Sequence, residues 1–439
     1  MSEPTPSLAR RAQEVLDRNR RGDFTCPSND LYPHQWLWDS CFTAIGLART
    51  DPHRAAAELR ALLRGQWSNG MLPHMIFAAD RHDVGSRRLW QSTRNPAAPR
   101  DVETTCITQP PIVAIASERV AQALPDADRR AFLTEMYPRL VDYHSWMYRE
   151  RDLHGRGLVT LIHPWECGLD STPPWMEALA RMPQPAWVRV VSTLRLSQVV
   201  RFFRRDTKYI PANERAGDDD GLRMLVLARR IRQYDCELRR LPPDATVQIE
   251  DVAFNSFLVV ANQCLTRLAG MVGETIDAAL GDRFAATERA LEELWDRESG
   301  QYYSRDAVTG ELLIVPTVAT FLPLWTGVPA EARRARLLEL LRAPSPFWPA
   351  HPVPSVAVDA DAFDEDRYWD GPTWINTNWA IVEGLRACGE VDRAEELRAV
   401  SLALVDRAGF YEYFSPLSGH GFGAPDFSWT AALTIDLSA

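Results

Sequence analysis

The stretch Val252-Ala-Phe-Asn-Ser-Phe-Leu-Val-Val-Ala-Asn-Gln-Cys-Leu-Thr-Arg-Leu268 carries apolar side chains almost all the way round a helical wheel. It lies within residues 247–270, where Val252, Ala253, Phe254, Phe257, Leu258, Val259, Val260, Leu265 and Leu268 leave no wide polar face. A helix of that kind is covered on most sides. Other segments are apolar on one side only. Residues 52–66 open with the cap-and-proline pair Asp51-Pro52 and set Ala56, Leu59, Leu62, Leu63 and Gln66 on one stripe. Residues 126–150 do the same through Phe132, Met136, Leu140 and Tyr143, and residues 391–405 through Ala394, Leu397, Val400 and Leu404. Helical patterns also cover 7–19, 38–49, 110–124, 186–203, 220–235, 273–295, 331–342 and 373–387. Period-2 strands are few; Gly157–Ile162 and Glu311–Val315 are the best. The alternation of one-sided and all-round helices predicts a large all-α protein with two concentric helical layers.

The chain has 439 residues, 46% hydrophobic and 25% charged, with a formal net charge of -10. That balance is ordinary for a globular protein and lacks the basic stripe of a nucleic-acid binder. No apolar run approaches the roughly 20 residues that span a bilayer. The N-terminus has no signal-peptide profile, so the expected location is cytoplasmic. Seven cysteines are scattered without a C-x-x-C pair, and their odd count fits a reduced compartment better than a disulfide framework. One domain over 1–439 is expected, with two irregular regions, about 66–108 and 163–186, placed as lids over one mouth. Oligomerisation with further copies of the chain is left open.

Chemistry concentrates where aromatic rings and acids alternate: Tyr32-Pro-His-Gln-Trp-Leu-Trp-Asp39, His163-Pro-Trp-Glu-Cys-Gly-Leu-Asp170, Tyr368-Trp-Asp-Gly-Pro-Thr-Trp374 and Tyr411-Glu-Tyr-Phe414. A ring stacks on the C–H face of a sugar while acids accept from its hydroxyls. Asp170 sits in a loop with Trp165 and Trp175 on either side. Desolvation there raises a carboxyl pKa toward the value a general acid needs. The plainer role for Asp170 is capping the helix that follows Pro173. Glu412, inside a run of aromatics, is either a cleft acid or a structural acid paired with an arginine. Asp39 either caps the helix after it or binds sugar hydroxyls, and Glu166 is a second acid candidate. Asn376 and Trp379 read as core.

Other chemistries fit poorly. The nine histidines form no H-E-x-x-H, so no metal is expected. The acidic stretch 359–366 lacks the glycine and the final glutamate of a calcium loop. Phosphate-binding glycine motifs and a G-x-S-x-G elbow are missing.

Taken in order, Tyr32-x-x-Gln-Trp-x-Trp-Asp-Ser40, Asn69-Gly-Met-x-Pro-His-Met75, Thr108-Gln-Pro-Pro111, His163-Pro-Trp-Glu166, Arg205-Asp206, Ile249-Glu-Asp-Val252 with Phe254-Asn255, Tyr368-Trp-x-Gly-Pro-x-Trp374 with Asn378-Trp379, and Phe427-Ser-Trp-Thr-Ala431 resemble family 63 glycoside hydrolases. The nearest pattern is that of the short bacterial enzymes acting on glucosylglycerate and mannosylglycerate. The resemblance implies a single (α/α)6 barrel and hydrolysis with inversion, without a cofactor. It matches Asp170 to the general acid and Glu412 to the general base. It places Tyr32, Trp36, Leu37, Trp38, Asp39, Gln109, Gly168 and Arg204 (or Arg205, one register on) around the hexose, and Tyr368 and Trp369 near the glycerate.

Two departures touch the outer subsite. The loop Phe77–Trp90 lacks the family's Tyr-Phe-Pro-Gly-Pro, and Asp370 stands where members often carry arginine. Arg81, Arg87 and Arg88 either replace the lost contacts to an acidic aglycone or belong to a solvated lid. The leading expectation is an inverting α-glycosidase on a small glycoside, glucosylglycerate or mannosylglycerate, with another small α-glucoside or disaccharide as the alternative. A sugar epimerase using His34, His74 or His163, and a non-catalytic sugar binder, are the competing classes.

Overall fold

The computed structural model describes residues 6–81, 83–185, 188, 209–242 and 244–439. The helix expected at 186–203 and the residues Arg204, Arg205 and Asp206 lie outside the described residues, Val188 excepted. In chain order the helices are α1 (Leu8–Arg18), α2 (Leu37–Ala48), α3 (Pro52–Leu63), α4 (Val84–Trp90) and α5 (Val113–Ala123). Then come α6 (Asp126–Arg151), α7 (Pro173–Arg181), α8 (Asp218–Gln233), α9 (Val252–Val272) and α10 (Ala278–Leu291). The last are α11 (Pro323–Thr326), α12 (Glu331–Leu340), α13 (Ile375–Ala387), α14 (Val391–Ala408) and α15 (Ser428–Leu437).

Six of these make a closed inner ring. α2 packs on α5, α5 on α9, α9 on α11, α11 on α13, α13 on α15, and α15 returns to α2. Outside them α3 covers α2, α6 covers α5 and α9, α10 covers α9, α14 covers α13 and α1 covers α15. α12 follows α11 on the outside and buries only Leu337 and Leu338. This is an (α/α)6 barrel. The layers carry the sequence signatures that predict them. Every residue of α2 and of α15 is buried. α14 buries only the stripe Ala394, Leu397, Ser401, Leu404 and Val405. Asp51 accepts a hydrogen bond from the Arg54 amide with Pro52 in the first turn of α3, as its sequence dictates.

Strands are short and serve the loops. Thr160–Leu161, Ile249–Glu250 and Arg305–Asp306 form an antiparallel trio. Gln35–Trp36 pairs with Met75–Ile76, and Tyr413–Phe414 with Gly421–Phe422. The strand expected at Glu311–Val315 is not one: that segment makes a single bridge, Leu312 to Arg305. Leu313 and Val315 are buried there while Ile314 is 56% exposed.

The cysteine reading needs correction. Cys106 and Cys236 form a disulfide across 130 residues. Spacing in sequence hides this, because tertiary folding brings the end of α8 against the loop before α5. Cys26, Cys41, Cys167, Cys264 and Cys388 are free. Among the described residues no helix is long and apolar enough to cross a membrane.

Candidate active site

The N-terminal ends of α2 and α15 and the loop before α13 open on one mouth of the barrel. A narrow pocket there is lined by Tyr32, Trp36, Trp38, Asp39, Gln109, Gly168, Asp170, Tyr368, Glu412 and Trp429, among others. Most of the residues expected around the hexose therefore meet in one place. Pairing of Trp36 with Met75 holds the entry to α2, and the first turn of that helix presents Trp38 and Asp39. The Gln109 side-chain oxygen accepts from the Trp38 amide at 3.4 Å, tying two pocket walls together. Gly168 has φ +78°, and a Cβ there would lie 2.6 Å from the Trp38 ring. Only glycine lets this backbone pass so close to the indole.

Leu37 and Trp369 do not line the pocket. Leu37 is fully buried and its amide donates to the His74 carbonyl. Trp369 is fully buried behind Tyr368, stacked on Trp374 at 3.8 Å. Tyr368 itself is held at φ +35°, with the Trp374 indole N–H donating to its carbonyl at 3.1 Å. A non-glycine residue in that backbone region is strained, and such strain gathers at functional sites.

Asp170 accepts from the Tyr368 hydroxyl at 3.4 Å. Burial pushes its carboxyl up to about 8, and the neighbouring Glu412 charge adds to this, while Tyr368 and Arg215 pull the other way. The side chain is thus a neutral acid at neutral pH, able to donate a proton. It does not cap α7; Thr172 occupies that position. Of the tryptophans flanking it in sequence, Trp175 is buried and donates to Asp251, while Trp165 faces an outer chamber. Asp39 is also pushed well above the carboxylate range, chiefly by burial and further by Glu412, Asp170 and Glu58.

Glu412 fulfils both of its sequence readings. It lines the pocket, and it is paired with an arginine. Arg215 Nη1 and Nη2 donate to its two oxygens at 3.2 and 2.8 Å. The Tyr32 hydroxyl donates to Oε1 at 3.0 Å, and the Ala424 amide to Oε2 at 3.0 Å. Gly423 keeps that side open: at φ +71°, a Cβ there would lie 2.5 Å from Glu412 Oε2.

Arg215 is the site residue the sequence does not announce. It follows Asn213-Glu214 in a segment without a recognisable pattern, and only the fold shows its guanidinium lying over the rings of Tyr32 and Tyr368. Trp429 was legible as part of the Phe427-Ser-Trp-Thr motif, though not as a pocket residue. The indole N–H groups of Trp36 and Trp429 have no hydrogen-bond partner among the described residues, leaving two donors on the pocket wall.

Several candidates turn out to be structural. Glu166 is fully buried, pairs with Arg151, and accepts from the Thr108 and Ile162 amides. Trp379 is core, its indole donating to Asp436. His163 accepts from the Trp165 amide and donates to the Met224 carbonyl; burial holds it down to about 4. His34 contacts Asp83 and accepts from the Ala78 amide. Burial lowers His74 to about 3. His34 is paired with Asp83, and none of the three lines the narrow pocket that holds Asp170 and Glu412, so the geometry does not support the epimerase reading. Among the described residues no cluster of His, Cys, Asp or Glu is arranged to hold a metal. Arg81, Arg87 and Arg88 do not line the site: Arg87 pairs with Glu103 and bonds the Ala78 carbonyl. Asp370 also stands outside the lining, and burial pushes it up to about 7.

An aromatic-walled pocket at the mouth of an (α/α)6 barrel, holding a buried acid near an arginine-bound glutamate, suits a glycoside hydrolase, the class its relatives share. The chain belongs to the mannosylglycerate hydrolase MGH1-like glycoside hydrolases, whose family model matches residues 32–430. It is 39% identical over 433 residues to the mannosylglycerate hydrolase of Thermus thermophilus, covering 97% of this chain and 99% of that one. It is 33% identical over 451 residues to the glucosylglycerate hydrolase of Mycolicibacterium hassiacum, covering 98% of each. A crystal structure of the family 63 mannosylglycerate hydrolase from Thermus thermophilus, in complex with Tris and D-glycerate, superposes with a TM-score of 0.88 at 37% identity, covering 99% of this chain and 100% of that chain.

Proposed function

We propose that the chain is an inverting α-glycoside hydrolase that releases a hexose from a hexosylglycerate, glucosylglycerate or mannosylglycerate. The observation that carries this reading is the placing of Asp170 and Glu412 on one pocket with different environments. Asp170, kept neutral by burial, protonates the leaving oxygen. Glu412, bound by Arg215 and Tyr32, deprotonates the water that attacks the anomeric carbon from the opposite face. Two carboxyl groups held in different surroundings, one of them kept neutral by burial, suit such chemistry. Tyr32, Trp36, Trp38 and Trp429 supply stacking surface and free indole donors. Asp39, Gln109 and the backbone at Gly168 complete the hexose subsite. The glycerate preference is supported by the relatives' own substrates.

The test is hydrolysis of both hexosylglycerates with detection of free sugar, followed by NMR of the first-formed anomer. The β-anomer of the hexose is expected first. Asp170→Asn and Glu412→Gln each lower kcat by about 100-fold or more, the scale of lost proton transfer. Activity within a few-fold of the parent in either variant overturns that assignment, and an α-anomer formed first overturns inversion.

A further inference from the structure

Beyond Asp170 the narrow pocket opens into a chamber of about 690 Å³. The two spaces share Tyr32, Trp36, Asp170 and Tyr368, so a leaving group protonated by Asp170 projects into the larger one. Cavities of roughly 300–1,000 Å³ enclose drug-sized ligands; glycerate would fill a small part of this one.

The wall chemistry points the same way. Among the described residues, Asp83 and Arg215 of the chamber are already engaged. Asp83 contacts His34 at 3.3 Å and accepts from the Ser86 hydroxyl at 2.9 Å. Arg215 is committed to Glu412. A ligand would also meet an apolar surface on α4 and α8, made by Leu89, Leu222, Met224, Leu225 and Val226, with Trp165 in the same lining; among the described residues His74 Nε2, Ser171 Oγ and the Trp36 indole N–H are its unpartnered polar atoms. Leu225 is 37% exposed and Leu89 partly so, so a ligand would cover apolar side chains that otherwise meet water. The exposed Arg229 on α8 is a cation on the same wall.

Resting on the hydrolase reading above, we propose that this chain prefers aglycones larger than glycerate: 2-hydroxy acids carrying an apolar ring. The reaction is unchanged. Water adds its hydroxyl to the anomeric carbon, the carbon–oxygen bond to the aglycone breaks, and the acid leaves with its hydroxyl protonated.

The experiment compares 2-O-α-hexosyl glycerate with 2-O-α-hexosyl 3-phenyllactate, in both the glucosyl and mannosyl forms. Both release a secondary hydroxyl beside a carboxylate, so the leaving groups are chemically alike. The phenyllactate glycoside is expected to show the higher kcat/KM, on the order of tenfold, through a lower KM. Leu89→Glu and Leu225→Glu sit on partly exposed positions and are expected to bring that ratio toward one, with folding verified by circular dichroism. A phenyllactate kcat/KM at or below that of the glycerate glycoside overturns the inference and leaves the hydrolase reading intact, as does a preference that survives both substitutions. Failure to cleave either substrate overturns the hexosylglycerate reading and this inference with it.

Discussion

Arg215 and Glu412 face each other as a two-pronged ion pair, with both side chains almost wholly buried at 3% and 1% exposure. With Tyr32 and the Ala424 amide, four donors meet one carboxylate, about its full acceptor capacity. On the proposed mechanism, a water giving its proton to Glu412 displaces one of these donors.

Breaking this pair from one side strands a buried charge. Arg215→Met is expected to destabilise the fold by about 3–5 kcal/mol. Adding Glu412→Gln removes the stranded charge, so the double variant should lose less stability than the two single losses combined, by about 1–3 kcal/mol. Denaturant unfolding of the four proteins measures this coupling. Strict additivity would show that the pair contributes position without energy. Arg215→Lys keeps the charge and loses the fork, so kcat should fall while stability changes less.

On the proposed mechanism, activity depends on the protonated form of Asp170. The carboxyl is raised to about 8, mainly by burial, so kcat/KM should fall as pH rises through about 8. Tyr368 donates to the ionised carboxylate and so lowers this value. Tyr368→Phe should move the basic limb to higher pH. A pH–rate profile on one hexosylglycerate checks both, and a limb that stays in place in the Phe variant argues against Asp170 as the titrating group.

Much of the barrel was legible because burial and periodicity report the same physics. One-sided stripes at 52–66 and 391–405 became outer helices, and the all-round apolar stretch at 252–268 became part of the inner ring. The same physics hid α15. Its residues are buried on every side, and a short all-round helix shows no period to detect. Local motifs found Asp39, Asp170, Tyr368 and Glu412, because aromatic–acid neighbours in sequence stay neighbours in the pocket. Arg215 and the Cys106–Cys236 bridge could not be found that way, since each depends on a partner 197 or 130 residues distant.

Keeping Asp170 neutral also affects stability. An unfolded aspartate titrates near 3.9, while the native carboxyl holds its proton to about 8. Between these values the native state binds one proton more than the unfolded state, so this residue makes stability fall as pH rises. An amide in its place does not titrate and carries no such penalty. Asp170→Asn should therefore match the parent's Tm near pH 4 and exceed it increasingly toward pH 8. Thermal scans at several pH values test this. A difference that is constant with pH, or that shrinks toward pH 8, means the carboxyl is already ionised in the native protein.

The disulfide joins two parts of the site. Cys106 lies three residues before Gln109 on the hexose wall, and Cys236 follows the end of α8 on the chamber wall. A cross-link closing so long a loop stabilises mainly by restricting the unfolded chain, typically by about 2–4 kcal/mol. Reduction, or Cys236→Ser, should lower the Tm. It should raise KM more than it lowers kcat, because α8 carries chamber residues while Asp170 and Glu412 are held by other elements. Thiol titration in denaturant supplies the direct count: five thiols without reductant and all seven with it. Seven thiols before reduction would remove the bridge, and an unchanged KM in the serine variant would show that it fastens the fold without setting the chamber.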